Sequence, residues 1–310
     1  MARTEITIIC PGLAPLVQRE MNQVALPKAL QDLLKAANYQ QDNAGLKRLL
    51  CRLVTKEALT ASDIPYAYLV TGRRDAVLID FCILSADSDQ LRLLPADIPL
   101  EREEKNHLIQ YLLPLLRDYG EVVQYGNDWF LISPQIAKMR FTAIENVIGK
   151  SVMSFLPSGP YRQSWMKLCN DIQIELYQYY ASVSTTGHTI NSVWFWGAGH
   201  CHRDDKRVWD SVMSTQESVP ILMPDTLVHP WTEQSSIPLT AGKHCIVLPE
   251  CDVSANWADQ LVQWERQLFW PLYQRLRWGR CRASLYVPHD GVYQLKIWPL
   301  WWQRMTCLFK

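Results

Sequence analysis

The chain has 310 residues, 48% of them hydrophobic and 20% charged, which is typical of a globular protein and unlike a disordered one. Its 31 basic and 31 acidic side chains cancel, which argues against a protein whose whole surface binds nucleic acid or anionic lipid. The sequence has no apolar run of the roughly 18 residues that a membrane-spanning helix needs, and the apolar run before Pro11 is too short for a signal peptide. The nine cysteines are scattered without a C-x-x-C motif, so we expect a cytoplasmic protein with reduced thiols.

The first half of the chain alternates strand and helix patterns. Residues 4–10 are rich in β-branched side chains and predict a strand that Pro11 and Gly12 end. Leucine spacing predicts one helix after Pro27 and a second one from Leu46. The further elements expected in this half are strands at 65–70 and 76–83, a helix from Glu101 that Pro114 kinks or splits, and a hairpin over 121–133 with Gly126, Asn127 and Asp128 in its turn.

The second half begins with the clearest helix, whose apolar residues keep a spacing of three and four between Trp165 and Tyr179. Ser192–Trp196 predicts a central strand, buried on both faces, with Trp194 and Trp196 on one face and Phe195 on the other. The further elements expected here are buried parallel strands at 220–223 and 245–248, a helix over about 256–275 with a kink at Pro271, and a hairpin over 282–298 around residues 288–291.

This alternation predicts an α/β fold: a mainly parallel central sheet flanked by helices, with antiparallel hairpins at its margins. We expect a single α/β domain over residues 1–310. Pro157, Ser158, Gly159 and Pro160 predict a subdomain joint near residues 155–160.

The turn after Ser192–Trp196 is the first candidate site. Gly197 and Gly199 leave backbone N–H groups open to close approach, and successive N–H groups of this kind form a nest that binds anions. The predicted ligand-binding residues are Gly197, Gly199, His200, His202 and Arg203. The alternative is a tight turn closed by its own hydrogen bonds, because glycine in a turn needs no ligand.

A metal site is the second possibility, although the spacing is loose and none is assigned. The densest set of potential ligands is His200, Cys201, His202, Asp204 and Asp205. Asp225 and His229 are four residues apart, but Pro224 and Pro230 bracket them, so a polar loop at the rim of the sheet is favoured for both sets.

Two further features admit a functional and a structural interpretation. Cys10 follows the first strand, where a nucleophile would be well placed, but no neighbouring base or cation lowers its pKa, and a buried structural cysteine is favoured. The last 54 residues hold seven of the 13 tryptophans and carry a net charge of +5. Such a segment can bind a partner, but an aromatic core helix with a solvated basic face explains it too, and nucleic acid is not expected.

Residues 191–199 read N-S-V-W-F-W-G-A-G, and this segment resembles the RpfE-type bacterial regulatory proteins. These proteins are grouped with the phosphoglycerate-mutase-like members of the alkaline phosphatase superfamily. The features that support the resemblance more weakly are Pro11, Gly12 and Leu13 after the first strand, the hairpin with Trp129, Phe130 and Leu131, Pro157 before the Trp165 helix, and the closing segment 298–304.

The resemblance implies a degenerate alkaline-phosphatase-like fold more than it implies the activity. Active members of the superfamily place a metal-binding Asp at the end of the first strand, but here Cys10 takes that place, and no carboxylate lies between Glu5 and Glu20. They also use an Asp-His dipeptide late in the chain, and this sequence has only the reverse, His289 and Asp290. A two-metal site needs several such ligands at once.

The resemblance therefore leads us to expect a cytoplasmic, non-catalytic binding or regulatory protein without a cofactor, whose partner is a small anionic ligand or another protein. One alternative is a phosphomutase or phosphohydrolase that uses Mn²⁺, Mg²⁺ or Zn²⁺. Its displaced ligands would come from His200, His202, Asp204, Asp205, Asp225 and His229. The other alternative is an interaction module that uses the basic, tryptophan-rich C-terminus.

Overall fold

The structure is a computed structural model that describes residues 4–19, 26–55, 59, 62–87, 90–94, 100–183, 190–202, 208–238, 240–250 and 257–296. The chain folds into two compact units. Residues 1–50 and 204–310 form the first, called the outer unit here, and residues 51–203 form the second, called the inserted unit because it interrupts the chain of the first.

Strands and helices alternate along much of the chain. The strands are β1 (Thr4–Ile9), β2 (Asn38–Gln41), β3 (Ala76–Asp87), β4 (Gln90–Leu94), β5 (Glu121–Tyr125), β6 (Asp128–Ile132), β7 (Ser192–Trp196), β8 (Ser211–Ser214), β9 (Val228–His229), β10 (Gly242–Val247), β11 (Cys281–Val287) and β12 (Gly291–Leu295). The helices are α1 (Ala14–Arg19), α2 (Lys28–Ala36), α3 (Leu46–Val54), α4 (Tyr66–Thr71), α5 (Arg102–Arg117), α6 (Arg162–Val183), α7 (Ser218–Leu222), α8 (Trp257–Trp264) and α9 (Trp270–Arg277). Short 3-10 helices cover Ile136–Lys138, Ile144–Asn146 and Val152–Ser154, and a π-helical turn covers Glu265–Phe269.

The outer unit contains a seven-stranded sheet in the order β2-β12-β11-β1-β10-β8-β9. The strands β11, β1, β10, β8 and β9 are parallel, whereas β12 and β2 add antiparallel pairs at one margin. The predicted α/β class, with a mainly parallel sheet and an antiparallel hairpin at its margin, is confirmed.

Helices cover one face of this sheet. Alternate residues of β1, such as Ile6 and Ile8, pack against Leu30 of α2 and against Trp264 and Leu272 of the C-terminal helices. The alternation follows from the strand period of two, because successive side chains of a strand point to opposite faces.

The inserted unit contains an antiparallel sheet whose long strand β3 pairs with three others. It is hydrogen-bonded to β4, β6 and β7, and β6 also pairs with β5 in the predicted hairpin. The core of this unit joins the sheet to α5 and α6, with Trp165 of α6 edge-on against Phe195 of β7.

The predicted faces of β7 are confirmed, but its predicted central position in a parallel sheet is wrong. Phe195 lies in the core under α6, whereas the indole nitrogen Nε1 of Trp194 donates to the carbonyl of Thr142 and that of Trp196 donates to Asp80. All five residues of the strand are buried, yet among the described strands it pairs only with β3, and in antiparallel register.

Two predicted strands are helices. Residues 65–70 belong to α4, which Gly72 ends in the left-handed conformation, and residues 220–223 overlap α7. Both segments are short apolar runs, and periodicity cannot separate a buried strand from a buried helix over so few residues.

The two prolines within predicted helices, Pro114 and Pro271, affect their helices differently. The helix α5 runs across Pro114 without a split, whereas the C-terminal helix contains a π-helical turn immediately before Trp270 and Pro271. Proline lacks the N–H for the usual backbone bond, and a π-helical turn accommodates that loss.

The predicted joint near residues 155–160 lies inside the inserted unit, and neither boundary between the units falls there. Ser158 exchanges two backbone hydrogen bonds with Arg140 at 2.8 and 3.0 Å, so this segment is packed onto its own unit. The expectation of a single domain stays a prediction. Within the described ranges, no helix is long and apolar enough to cross a membrane.

Candidate functional site

The carboxyl edge of the parallel sheet is the usual place for a ligand in an α/β fold. In the outer unit β1 ends there at Ile9, and the next residue, Cys10, is completely buried, as the sequence indicated. The amide of Cys10 donates to the carbonyl of Tyr286 at 2.9 Å. On the adjacent strand, burial raises the pKa of the Cys245 thiol to about 12. Cys245 lies within β10, opposite Thr7, so Cys10 is the thiol at this edge, where a metal would need carboxylates.

His289 and Asp290 form the turn between β11 and β12, and the carboxylate of Asp290 is occupied within that turn. Its Oδ2 atom accepts the hydroxyl of Tyr293 at 2.7 Å, and its backbone carbonyl accepts the hydroxyl of Tyr39 at 2.9 Å. Burial and the hydrogen bond to Asp290 raise the pKa of Tyr293. This arrangement fixes the hairpin and explains the residue pair without a metal.

The inserted unit contains an open cleft of about 620 Å³, which we call the arginine cleft. Four segments border it: the loop before α4, the turn before β3, the segment after β6 and the glycine loop after β7. The lining residues are Leu59, Ser62, Asp63, Pro65, Arg74, Ile136, Ala137, Met139, Arg140, Phe141, Ala198, Gly199 and His200.

Asp63 holds the glycine loop in place. Its Oδ1 atom accepts the amides of Ile64 and Gly197, both at 2.9 Å, and its Oδ2 atom accepts the amide of Ala198 at 3.0 Å. Two consecutive backbone N–H groups that converge on one carboxylate form an anion nest. The amides of Gly197 and Ala198 form such a nest, but in this structure its anion is the chain's own Asp63, so the amide of Gly197 is not open to a ligand.

The backbone also requires a glycine at position 197. Its φ is +85°, a conformation that costs glycine little, and its carbonyl accepts the amide of Ala67 at 2.9 Å at the start of α4. The turn is therefore held by hydrogen bonds to the segment around the start of α4.

The glycine loop reaches the cleft with its next two residues. Gly199 and His200 are exposed and line the cleft, and the imidazole of His200 stands edge-on to the ring of Tyr68 at 6.5 Å. His202 is exposed but is absent from the cleft lining, and Arg203 lies outside the described residues. Ligand binding by Gly199, His200 and His202 stays a prediction.

Two arginines that the sequence did not single out supply the positive charge of the cleft. The side chains of Arg74 and Arg140 are exposed, and neither forms an ion pair with any described residue. Their backbones are nevertheless fixed. The backbone amide of Arg140 donates to the carbonyl of Ser158, and its carbonyl accepts the amide of Ser158. Arg74 lies between Arg73 and Asp75, whose side chains form an ion pair at 2.9 Å.

The other candidate residues do not assemble a metal site in the part of the chain that the structure describes, where no group of three or more His, Cys, Asp or Glu could hold an ion. His200 and His202 belong to the inserted unit, whereas Asp225 and His229 belong to the outer unit. Asp204 and Asp205 lie outside the described residues.

The C-terminal region has a buried face and two exposed tryptophans. Leu261, Trp264, Leu268 and Leu272 are buried, which confirms the aromatic core helix. Trp270 and Trp278 are instead 48% and 64% exposed. Residues 297–310, including the closing segment 298–304, lie outside the described residues.

Comparison with models of protein families gave no match, and comparison with curated proteins gave none either. Among solved structures, the chain is similar to the cofactor-independent phosphoglycerate mutase from Thermoplasma acidophilum DSM 1728, with 11% identity, a TM-score of 0.40, and coverage of 95% of this chain and 89% of that one. It is also similar to a protein from Pyrococcus horikoshii, with 10% identity, a TM-score of 0.43, and coverage of 95% of this chain and 87% of that one. Similarity at this level assigns no activity, metal or ligand to the chain.

Proposed function

We propose that the chain is a cytoplasmic, non-catalytic binding protein of the bacterial RpfE type, a degenerate member of the phosphoglycerate-mutase-like branch of the alkaline phosphatase superfamily. It binds a small anion in the arginine cleft and transfers no phosphoryl group, so a regulatory role follows from binding alone. The resemblance of residues 191–199 supports the family, and the arginine cleft supports the binding.

The observation that carries the proposal is that one cleft has two guanidinium groups, those of Arg74 and Arg140, which form no ion pair with any residue that the structure describes. Arginine is always charged and presents several N–H donors in a planar fork that matches carboxylate and phosphate oxygens. Against these two charges the lining has one carboxylate, Asp63, whose oxygens already accept three backbone amides. The cleft therefore has an excess of positive charge that favours binding of an anion, and His200 can donate a further hydrogen bond.

We propose that the chain transfers no phosphoryl group because of the residues at the carboxyl edge of the sheet in the outer unit. Phosphoryl transfer by metal catalysis needs clustered carboxylates and a nucleophile that the metal activates. Cys10 is buried there, and the carboxylate of Asp290 is bonded to Tyr293. Neither residue is available for that chemistry.

The proposal is tested by isothermal titration of inorganic phosphate and of 3-phosphoglycerate into the parent chain and into the double variant Arg74→Ala/Arg140→Ala. We expect the parent to bind, and we expect the double variant to bind at least about tenfold more weakly, because one charge-assisted hydrogen bond contributes about 1.5–3 kcal/mol. Arg117→Ala is the matched control, since Arg117 is an exposed arginine of the same unit that does not line the cleft. Equal binding by the parent and the double variant would refute the site.

A second candidate function, docking of a protein partner, is favoured by the exposed aromatic rings of the C-terminal helix. The rings of Trp270 and Tyr273 stack at 5.9 Å, and Arg277 and Arg280 lie in the chain on either side of the exposed Trp278. Aromatic and arginine side chains are enriched at protein interfaces. A partner bound in this way would be released by raised salt, and Trp278→Ala would weaken its binding while leaving anion binding in the arginine cleft unchanged.

A further inference from the structure

The walls of the arginine cleft are mostly apolar, although its charge is cationic. Seven of the thirteen lining residues have apolar side chains: Leu59, Pro65, Ile136, Ala137, Met139, Phe141 and Ala198. Met139 and Phe141 come from the segment after β6, next to Arg140. One segment therefore supplies both an arginine and a hydrophobic wall.

The size of the cleft exceeds the size of a simple ion. Its volume of about 620 Å³ lies in the range of sites for organic ligands, about 300–1,000 Å³, and an inorganic phosphate would fill little of it. The remaining space adjoins aliphatic and aromatic side chains. An apolar ligand group that displaces water from them lowers the free energy of the complex.

Few polar groups remain for a highly hydroxylated ligand. Besides the two arginines and His200, the polar side chains of the lining are those of Ser62 and Asp63. The Asp63 carboxylate accepts the amides of Ile64, Gly197 and Ala198. A ligand whose body carries hydroxyl groups would leave some of them without partners against the apolar wall, and such unpaired groups lower affinity.

From these observations we infer that the arginine cleft selects an anion with an apolar body, in which a phosphate or carboxylate head group is attached to an aromatic or aliphatic group. The head group pairs with Arg74 and Arg140, and the body lies against the wall formed by Ala137, Met139 and Phe141. This inference rests on the proposed function, because it names the ligand class of the same cleft.

The test is a titration series at one ionic strength with five probes: inorganic phosphate, 3-phosphoglycerate, phenyl phosphate, benzoate and the neutral benzyl alcohol. We expect phenyl phosphate to bind at least about tenfold more tightly than inorganic phosphate and 3-phosphoglycerate, since burial of an aromatic ring adds more than 1.4 kcal/mol. Benzyl alcohol should bind at least about tenfold more weakly than phenyl phosphate, because it lacks the charge that the arginines recognise. The comparison of phenyl phosphate with benzoate shows which head group the arginines prefer.

A variant of the apolar wall tests whether the apolar body of the ligand binds there. Ala137 is exposed in the cleft, so Ala137→Gln places a polar side chain on the wall without changing the charge or emptying the core. We expect this variant to weaken phenyl phosphate binding about tenfold and to leave inorganic phosphate binding unchanged. The matched control is Ala181→Gln at the exposed end of α6, which should change neither.

The outcomes separate the inference from the function on which it rests. If no anion binds, the proposed function itself fails. If all anions bind with equal affinity, the function stands and the inference is overturned. Selective binding of phenyl phosphate that Ala137→Gln does not affect would also overturn it, because the apolar body would then lie elsewhere.

Discussion

At the scale of single residues, the Asp63 carboxylate connects two segments that are far apart in the sequence. It accepts the amide of Gly197, 134 residues further along, and the amide of Ala198 next to it. The sequence indicated that Gly197 and Gly199 form an anion nest, since glycine after a strand carries a local signal. It gave no signal for the anion, because a contact over 134 residues depends on tertiary structure.

The first prediction concerns this carboxylate. Asp63→Ala leaves three backbone amides without their acceptor, so we expect a loss of about 1–3 kcal/mol in the free energy of unfolding. Urea melts measure this effect. The control Asp171→Ala removes a surface ion pair with Lys167 and should cost at most about 1 kcal/mol; an equally small loss in Asp63→Ala would contradict the role given to Asp63.

The second prediction concerns Trp196. Its ring is buried and stacked on Tyr66 at 6.3 Å, and its Nε1 atom donates to Asp80 at 2.9 Å. Trp196→Ala should cost about 3–5 kcal/mol, because it empties a large aromatic site in the core. Trp196→Phe keeps a six-membered ring but loses part of the indole and its hydrogen bond to Asp80, so its loss should be smaller than that of Trp196→Ala. A denaturant melt in which Trp196→Ala loses less than about 1 kcal/mol would place this residue at the surface instead.

At the scale of elements, long periodic segments were predictable and short apolar ones were not. The helix α6 and the two hairpins stand where the sequence placed them, because each combines a sustained period with turn residues. The segment PYAYLV predicts a strand but forms α4, since so short an apolar run fits either structure. Tertiary contacts decide in favour of the helix: the amide of Ala67 donates to Gly197, and Gly72 ends the helix in the left-handed conformation.

The third prediction uses the proline within α5. Pro114 is exposed in the helix interior, and it cannot donate a backbone hydrogen bond to the carbonyl of Gln110. Pro114→Ala restores that donor and should raise the free energy of unfolding by about 1–3 kcal/mol, close to the difference in helix propensity. The control Arg117→Ala, exposed on the same helix, should stay within about 0.5 kcal/mol of the parent. A destabilised Pro114→Ala chain would mean that the helix depends on a bend at this residue.

At the scale of the whole molecule, the α/β class was predictable and the division into units was not. The sequence showed helices between buried strands, but the insertion of residues 51–203 into the outer unit leaves no local mark. The helix α3 spans the boundary between Leu50 and Cys51 as a regular apolar pattern, so composition does not change there. Arg74 and Arg140 were missed for the same reason, because only the tertiary fold brings both to one cleft.

The fourth prediction is that the chain does not interconvert phosphoglycerates. Under the proposed family assignment, Cys10 takes the place of a metal-binding carboxylate, and its side chain is completely buried. A coupled mutase assay with added Mn²⁺, Mg²⁺ or Co²⁺ should therefore give no turnover above background. Turnover on the order of 1 s⁻¹ that a chelator abolishes, which is within the ordinary range of enzymes, would disprove this prediction.

The central claim is that the chain binds an anion in the arginine cleft and holds no catalytic metal at the carboxyl edge of its parallel sheet. The most direct measurement is a crystal structure of the full chain soaked with phenyl phosphate and MnCl₂, with anomalous data collected for manganese. We expect phosphate density against the guanidinium groups of Arg74 and Arg140, and no anomalous peak beside Cys10. A manganese peak at that edge with phosphate bound to it, and an empty arginine cleft, would contradict the account.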